Sequence, residues 1–199
     1  MDRRAVFAPM LLLLAMVCAA PEAQERRVLC VLVDDMGFDV SDRETSGKLL
    51  AILRDEVLRE SDLVGVASSG PSGITADLQP ANTGILTRAI QRFAGARPSE
   101  QPGRPDQTWA ALVTLGTASD LVKNLARLDN RDKQFLLITS RPTVSGSLAA
   151  AFAQTGQAAP PEVTNHLAAI VAAAKAGNVT LRLLSTADPQ SVAVLRALR

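Results

Sequence analysis

The chain has 199 residues, of which 47% are hydrophobic and 21% charged, an ordinary composition for one globular domain. It excludes long disorder and collagen-like or low-complexity architectures. Aromatic residues make up only 3% of the chain, and histidine occurs once, as His166. The composition therefore disfavours a base-stacking platform for single-stranded nucleic acid and a three-histidine zinc site.

The N-terminal segment predicts export. A short net-basic stretch at residues 2–4 precedes an apolar run over residues 5–20 that ends in two alanines, which is the pattern of a cleaved signal peptide. The run contains Pro9 and falls short of the roughly 20 apolar residues that span a bilayer. We expect a signal peptide over residues 1–20 and one domain over residues 21–199, secreted or periplasmic and without a membrane span.

Removal of the signal peptide leaves equal numbers of acidic and basic residues. The whole chain has 21 Lys and Arg against 20 Asp and Glu, and the segment takes away Arg3, Arg4 and Asp2. No basic run remains, so nucleic acid is not an expected partner.

The first half of the domain reads as strands separated by helices. Val28–Val33 is an unbroken apolar run, typical of a strand covered on both faces, and it should bury Cys30. Ser41–Glu44 has the sequence of a capping box that opens an amphipathic helix. Leu63–Ala67 predicts a second strand, and Ile74–Leu78 an antiparallel third strand.

The second half continues the alternation. Strands are predicted over Gln134–Thr139 and Val179–Leu184. Helices are predicted after the cap residue Thr83, after the cap residue Asp106, over Leu148–Ala153, over Glu162–Ala176 and after Asp188–Pro189. Gly116 should break the helix that follows Asp106, and Gly177 should end the helix over Glu162–Ala176 in a left-handed conformation. This order predicts an α/β three-layer sandwich with a mostly parallel central sheet and one antiparallel edge strand. Val28–Val33 should be its central strand.

Polar residues follow two of the predicted parallel strands. Asp34 and Asp35 end the first strand, and Ser140 and Arg141 follow a later one. Ligands of open α/β sheets bind at this carboxyl edge. Two interpretations stay open from the residue types: the adjacent carboxylates hold a hard cation or act as a general base, or they solvate a loop and cap the next helix.

Several stretches resemble a von Willebrand factor type A (vWA) domain, in the VWFA-related version of secreted acidobacterial proteins. They are the apolar strand ending in Asp34-Asp35, Ser61–Val66, Ile74–Asp77, the helix with Arg88–Ile90, Gln134–Ser140 as fourth strand and Asn178–Leu181 as fifth. The resemblance implies a protein-binding module without catalysis. It also implies a sixth strand, which the predicted elements lack.

The vWA family carries a metal-ion-dependent adhesion site made of an aspartate, two serines, a threonine and a second aspartate. Aligned on Asp34, this chain has Met36 and Phe38 in the serine positions. The resemblance therefore implies a degenerate site without metal or cofactor, in which Arg141 replaces the cation and holds an acidic side chain of a protein partner. The binding residues that it implies are Asp34, Asp35, Thr108 in the place of the threonine, Ser140 and Arg141.

A second resemblance belongs to another class of protein. Val31–Phe38 is similar to the opening strand of sulfatases, where paired aspartates bind calcium, and Ser69–Gly73 is similar to their nucleophile motif. Gly73 stands where that motif has an arginine, and the chain is too short for the sulfatase fold. A metal-dependent hydrolase that uses Asp34 and Asp35 is the alternative to the binding module.

Overall fold

The computed structural model describes residues 26–36, 38–70, 77–81, 84–95, 107–129, 132–140 and 161–199. Five strands form one sheet: β1 (Val28–Asp34), β2 (Leu63–Ser68), β3 (Gln79–Pro80), β4 (Lys133–Thr139) and β5 (Val179–Ser185). Their order is β3-β2-β1-β4-β5, and β3 alone pairs antiparallel within the described sheet. The predicted α/β sandwich with one antiparallel edge strand is confirmed, and so is the central place of Val28–Val33.

Helices cover both faces of the sheet. They are α1 (Val40–Ile52), which runs on into a π-helical turn at Leu53–Val57, α2 (Ile85–Gly95), α3 (Gln107–Ala126), α4 (Pro161–Ala176) and α5 (Gln190–Arg196). One core lies between the sheet and α1, α2 and α5, and the other lies between the sheet and α3 and α4. Among the described helices, none combines the length and the apolar character that a membrane span needs.

The unbroken apolar run of β1 is explained by these two cores. Leu29, Val31 and Val33 enter the core on the α1 side, while Val28, Cys30 and Leu32 enter the core on the α3 side. Successive side chains of a strand point to opposite faces, so a strand buried on both faces has no polar position. Burial raises the pKa of the Cys30 thiol to about 12, and the expectation that this cysteine is buried is confirmed.

The start of α1 differs from the prediction. The capping box is formed by Asp39 and Asp42, not by Ser41: the Asp39 side chain accepts a hydrogen bond from Asp42 N (2.8 Å), and Asp42 Oδ2 accepts one from Asp39 N (3.2 Å). The N-cap thus lies two residues before its predicted position. The carboxylate of Asp42 at N3 accepts the hydrogen bond that a glutamate accepts in the usual capping box. With Asp39 as N-cap, both reciprocal hydrogen bonds of the box are therefore formed.

Other predictions need correction or fall on residues that the structure does not describe. The described antiparallel strand is Gln79–Pro80, which pairs with Leu63 and Val64; Asp77 and Leu78, predicted as strand, precede it, and residues 74–76 are not described. Helix α3 continues through Gly116 without a break. The predicted caps Thr83 and Asp106 and the predicted helix at 148–153 lie outside the described residues.

The end of α4 shows why Gly177 is a glycine. The residue in the left-handed conformation is Asn178 (φ 51°), not Gly177 as predicted. Gly177 instead lies against α3, where a Cβ atom would come within 2.3 Å of the Ala126 Cβ. The close packing of the end of α4 against α3 therefore requires a glycine at position 177, and a left-handed backbone conformation does not.

Two glycine substitutions should have opposite effects on stability. Gly177→Ala should lower the free energy of unfolding by about 1–3 kcal/mol, because the new methyl group overlaps Ala126. Gly116→Ala should raise it by about 0.5–1 kcal/mol, because Gly116 lies inside α3 with open space around it. Urea unfolding of both variants measures the difference. Equal effects would contradict the close approach of Gly177 to α3.

Candidate functional site

Asp34 is the last residue of β1, and its carboxylate is buried at the carboxyl edge of the sheet. Its Oδ1 accepts hydrogen bonds from Thr114 Oγ1 (2.9 Å) and Ser69 Oγ (3.2 Å), and its Oδ2 accepts one from Thr139 Oγ1 (2.9 Å). Thr114 Oγ1 also lies 3.0 Å from Ser69 Oγ. We call Ser69, Thr114 and Thr139 the hydroxyl cluster.

The hydroxyl cluster joins four elements at one point. Ser69 follows β2 and donates its backbone N–H to Val33 O (3.1 Å), Thr139 ends β4, and Thr114 lies in α3. Parallel pairing on both sides of β1 brings the strand ends together, with Asp34 opposite Thr139. A buried carboxylate is stable only when it is hydrogen-bonded or paired, and the three hydroxyl groups supply those bonds.

Asp35 is also buried, with 1% of its surface exposed. The β1–α1 connection packs against Gly70 just after β2, where a Cβ atom would lie 2.5 Å from Asp35 Oδ1 and 2.9 Å from Met36 N. Any larger residue at position 70 would push this connection away from the sheet. Both predicted acidic residues are therefore part of the floor of the carboxyl edge and not of its outer surface.

The other predicted site residues are placed in part. Ser140 directly follows β4 and is half-buried, next to Thr139, which contacts Asp34. Thr108 lies in the first turn of α3, but the structure does not describe its side chain. Arg141 is not among the described residues. The structure thus brings Asp34, Asp35 and Ser140 to one edge of the sheet.

The two positions that carry serines in the vWA metal site have no oxygen in their side chains here. Phe38, in a serine position of the family motif, is buried in the core beside α1, and Met36 offers no hard oxygen. Both oxygens of Asp34 accept hydrogen bonds from the hydroxyl cluster. Within the described ranges, no three His, Cys, Asp or Glu side chains come together in a way that could hold a metal ion.

The sequence reasoning missed the hydroxyl cluster. Thr139 ends one predicted strand and Ser69 lies two residues after another, which is a usable signal, but Thr114 is one of several polar residues along a long helix. An exposed aromatic residue was also missed: Trp109, in α3, has 53% of its surface exposed. It precedes Thr114 by five residues on the same helix, so it lies beyond Thr114 toward the helix start.

Comparison with known proteins gives a similarity of structure only. No family model matches the chain, and no curated protein matches its sequence. One similar structure is an aerotolerance-related membrane protein from Bacteroides fragilis with multiple mutations to serines; it has 17% identity, a TM-score of 0.42, and coverage of 87% of this chain and 96% of that one. Another is the conserved hypothetical protein BatB from Bacteroides thetaiotaomicron, with 15% identity, a TM-score of 0.43, and coverage of 86% and 96%. What is established for this chain is its own architecture, an α/β sandwich with a hydroxyl-bonded aspartate at the carboxyl edge of its sheet.

Proposed function

We propose that the chain is a vWA-like, secreted or periplasmic protein-binding module that works without catalysis and without a bound metal. The observation that carries the proposal is the bonding of Asp34 to the hydroxyl cluster. In this arrangement the ends of β1, β2 and β4 and the helix α3 are held together by neutral hydroxyl groups. The edge is thereby rigid without a cation, and a rigid edge is a suitable platform for a partner.

The burial of both acidic residues supports a binding role over the hydrolase alternative. A general base must reach the proton that it abstracts, yet Asp34 has no exposed surface and Asp35 has 1%. Trp109 lies in α3, five residues before Thr114 of the hydroxyl cluster. Trp109 is exposed, and aromatic side chains of this kind are frequent anchors of protein interfaces.

The metal part of the proposal is tested by calorimetric titration of the purified protein with Mg²⁺, Mn²⁺ and Ca²⁺. We expect no binding heat and no change in thermal stability on addition of EDTA. Saturable binding that disappears in Asp34→Asn would overturn this part, because it would show that a cation takes the place of the hydrogen bonds to Asp34.

The binding part is tested by photo-cross-linking in cells that naturally produce the protein. A photoreactive amino acid in place of Trp109 should give a discrete protein adduct, while one in place of Lys123, exposed in the last turn of the same helix, should not. The adduct should survive EDTA and should decrease in an Arg141→Ala background, by about tenfold or more if the guanidinium holds an acidic side chain away from water. Equal labelling from both positions, or loss of the adduct with EDTA, would overturn the proposal.

A further inference from the structure

The outer edge of β5 has a defined hydrogen-bonding pattern. Thr186 N donates to Thr139 O (2.9 Å) on the β4 side, whereas Ser185 N and O both bond to Ser191 Oγ on the opposite side. Backbone groups of a parallel strand alternate between its two sides, so those of Val179, Leu181 and Leu183 point away from β4. Within the described residues, β4 is the only strand that pairs with β5.

An apolar hollow lies along the same edge. It has a volume of about 460 Å³ and is formed by the last two turns of α4 and the first half of β5. Val171 and Leu181 line it and are 44% and 38% exposed, and they are two of the four large hydrophobic residues exposed in the described part of the chain. Exposed apolar surface beside unpaired strand backbone is the arrangement that favours pairing with another chain.

We propose that a second copy of this chain occupies the edge, with the two β5 strands antiparallel about a twofold axis at Leu181. In this register Leu181 pairs with the same residue of the second copy, and Val179 pairs with Leu183. All three outward-pointing residues then form hydrogen-bonded pairs, so six backbone hydrogen bonds join the copies. Ser191 caps the strand at Ser185 and ends the pairing there.

The charges of the edge agree with this register. Arg182 lies opposite Thr180 of the second copy, whereas a register centred on Arg182 would place two guanidinium groups face to face. The twofold axis also makes the two α4 helices antiparallel. Lys175 in the last turn of one α4 is thereby directed toward the end of the other α4 that carries Glu162. The edge is therefore self-complementary in backbone, apolar contacts and charge.

Sedimentation equilibrium of the purified protein at micromolar concentrations tests the proposal. We expect a reversible dimer, and we expect Leu181→Lys to weaken it by about a hundredfold or more, because two like charges would meet at the axis. Leu78→Lys is the matched control, since Leu78 is similarly exposed (41%) but precedes β3 at the other edge of the sheet. Circular dichroism and thermal unfolding verify that both variants are folded.

Cysteine cross-linking tests the register. Paired Cα atoms at the axis lie about 5.5 Å apart, within disulfide range, so Leu181→Cys should form an intermolecular disulfide under mild oxidation. Thr180→Cys should not, because its opposite residue is Arg182, and the parent protein is the control for its own cysteines. A monomer at all concentrations, or a dimer that Leu181→Lys leaves intact, would overturn the proposal. Neither result bears on the partner surface at the carboxyl edge, which photo-cross-linking tests separately.

Discussion

Arg27→Met should lower the free energy of unfolding by about 3–5 kcal/mol, a loss typical of breaking one side of a buried ion pair. The Arg27 guanidinium is 4% exposed and pairs with Asp62, which is 1% exposed. It also donates to Val57 O (2.9 Å) and to Leu198 O, so it joins the turn after α1 to the C-terminal turn. Removal would leave the buried Asp62 carboxylate without its counter-charge, with the backbone N–H of Arg59 as a remaining donor, and would take the guanidinium donor from two carbonyl groups. Chemical denaturation followed by circular dichroism measures the loss.

A double variant separates the ion pair from the packing. Adding Asp62→Leu to Arg27→Met should recover part of the stability, because the unpaired charge is then also removed. Arg196→Met is the matched control: Arg196 pairs with Glu56 on the surface (2.7 Å), and exposed ion pairs contribute little. If Arg27→Met were no more destabilising than Arg196→Met, the guanidinium would not be holding the C-terminal turn.

Asp34→Ala should also be strongly destabilising, at about 3–5 kcal/mol, because the buried hydroxyl groups of Thr114 and Thr139 and the half-buried one of Ser69 lose a charged acceptor. Asp34→Asn should cost less. Its amide oxygen can still accept from Ser69 and Thr114, and its NH₂ group can donate to Thr139. Thermal and urea unfolding of the two variants, each compared with the parent protein, measure the difference.

Asp120→Ala is the control for the loss of a carboxylate alone. Asp120 is also on the α3 side of the molecule, but its side chain is 79% exposed, so we expect almost no change in stability. If Asp34→Asn and Asp34→Ala were equally destabilising, the full negative charge would be essential. That result would favour a cation at the carboxyl edge over the hydroxyl cluster.

The central place of β1 could be predicted because local pattern and tertiary burial agree. Val28–Val33 has no polar position, and such a run is stable only between two cores, which fixes β1 at the centre of the sheet. The end of β1 at Asp34 then places the candidate site at the carboxyl edge. Helix starts were less predictable, since both Asp39 and Ser41 are good N-cap residues, and only the reciprocal bond with Asp42 distinguishes them.

The sequence by itself determined the α/β class, the central strand and the edge of the sheet that carries the acidic residues. These features follow from the hydrophobic pattern of neighbouring residues, which indicates which segments are buried. Only the tertiary structure decided what Asp34 does. Its partners Ser69, Thr114 and Thr139 are 35, 80 and 105 residues away along the chain. No local pattern encodes hydrogen bonds between residues so far apart, since they depend on the register of three strands and the seating of α3.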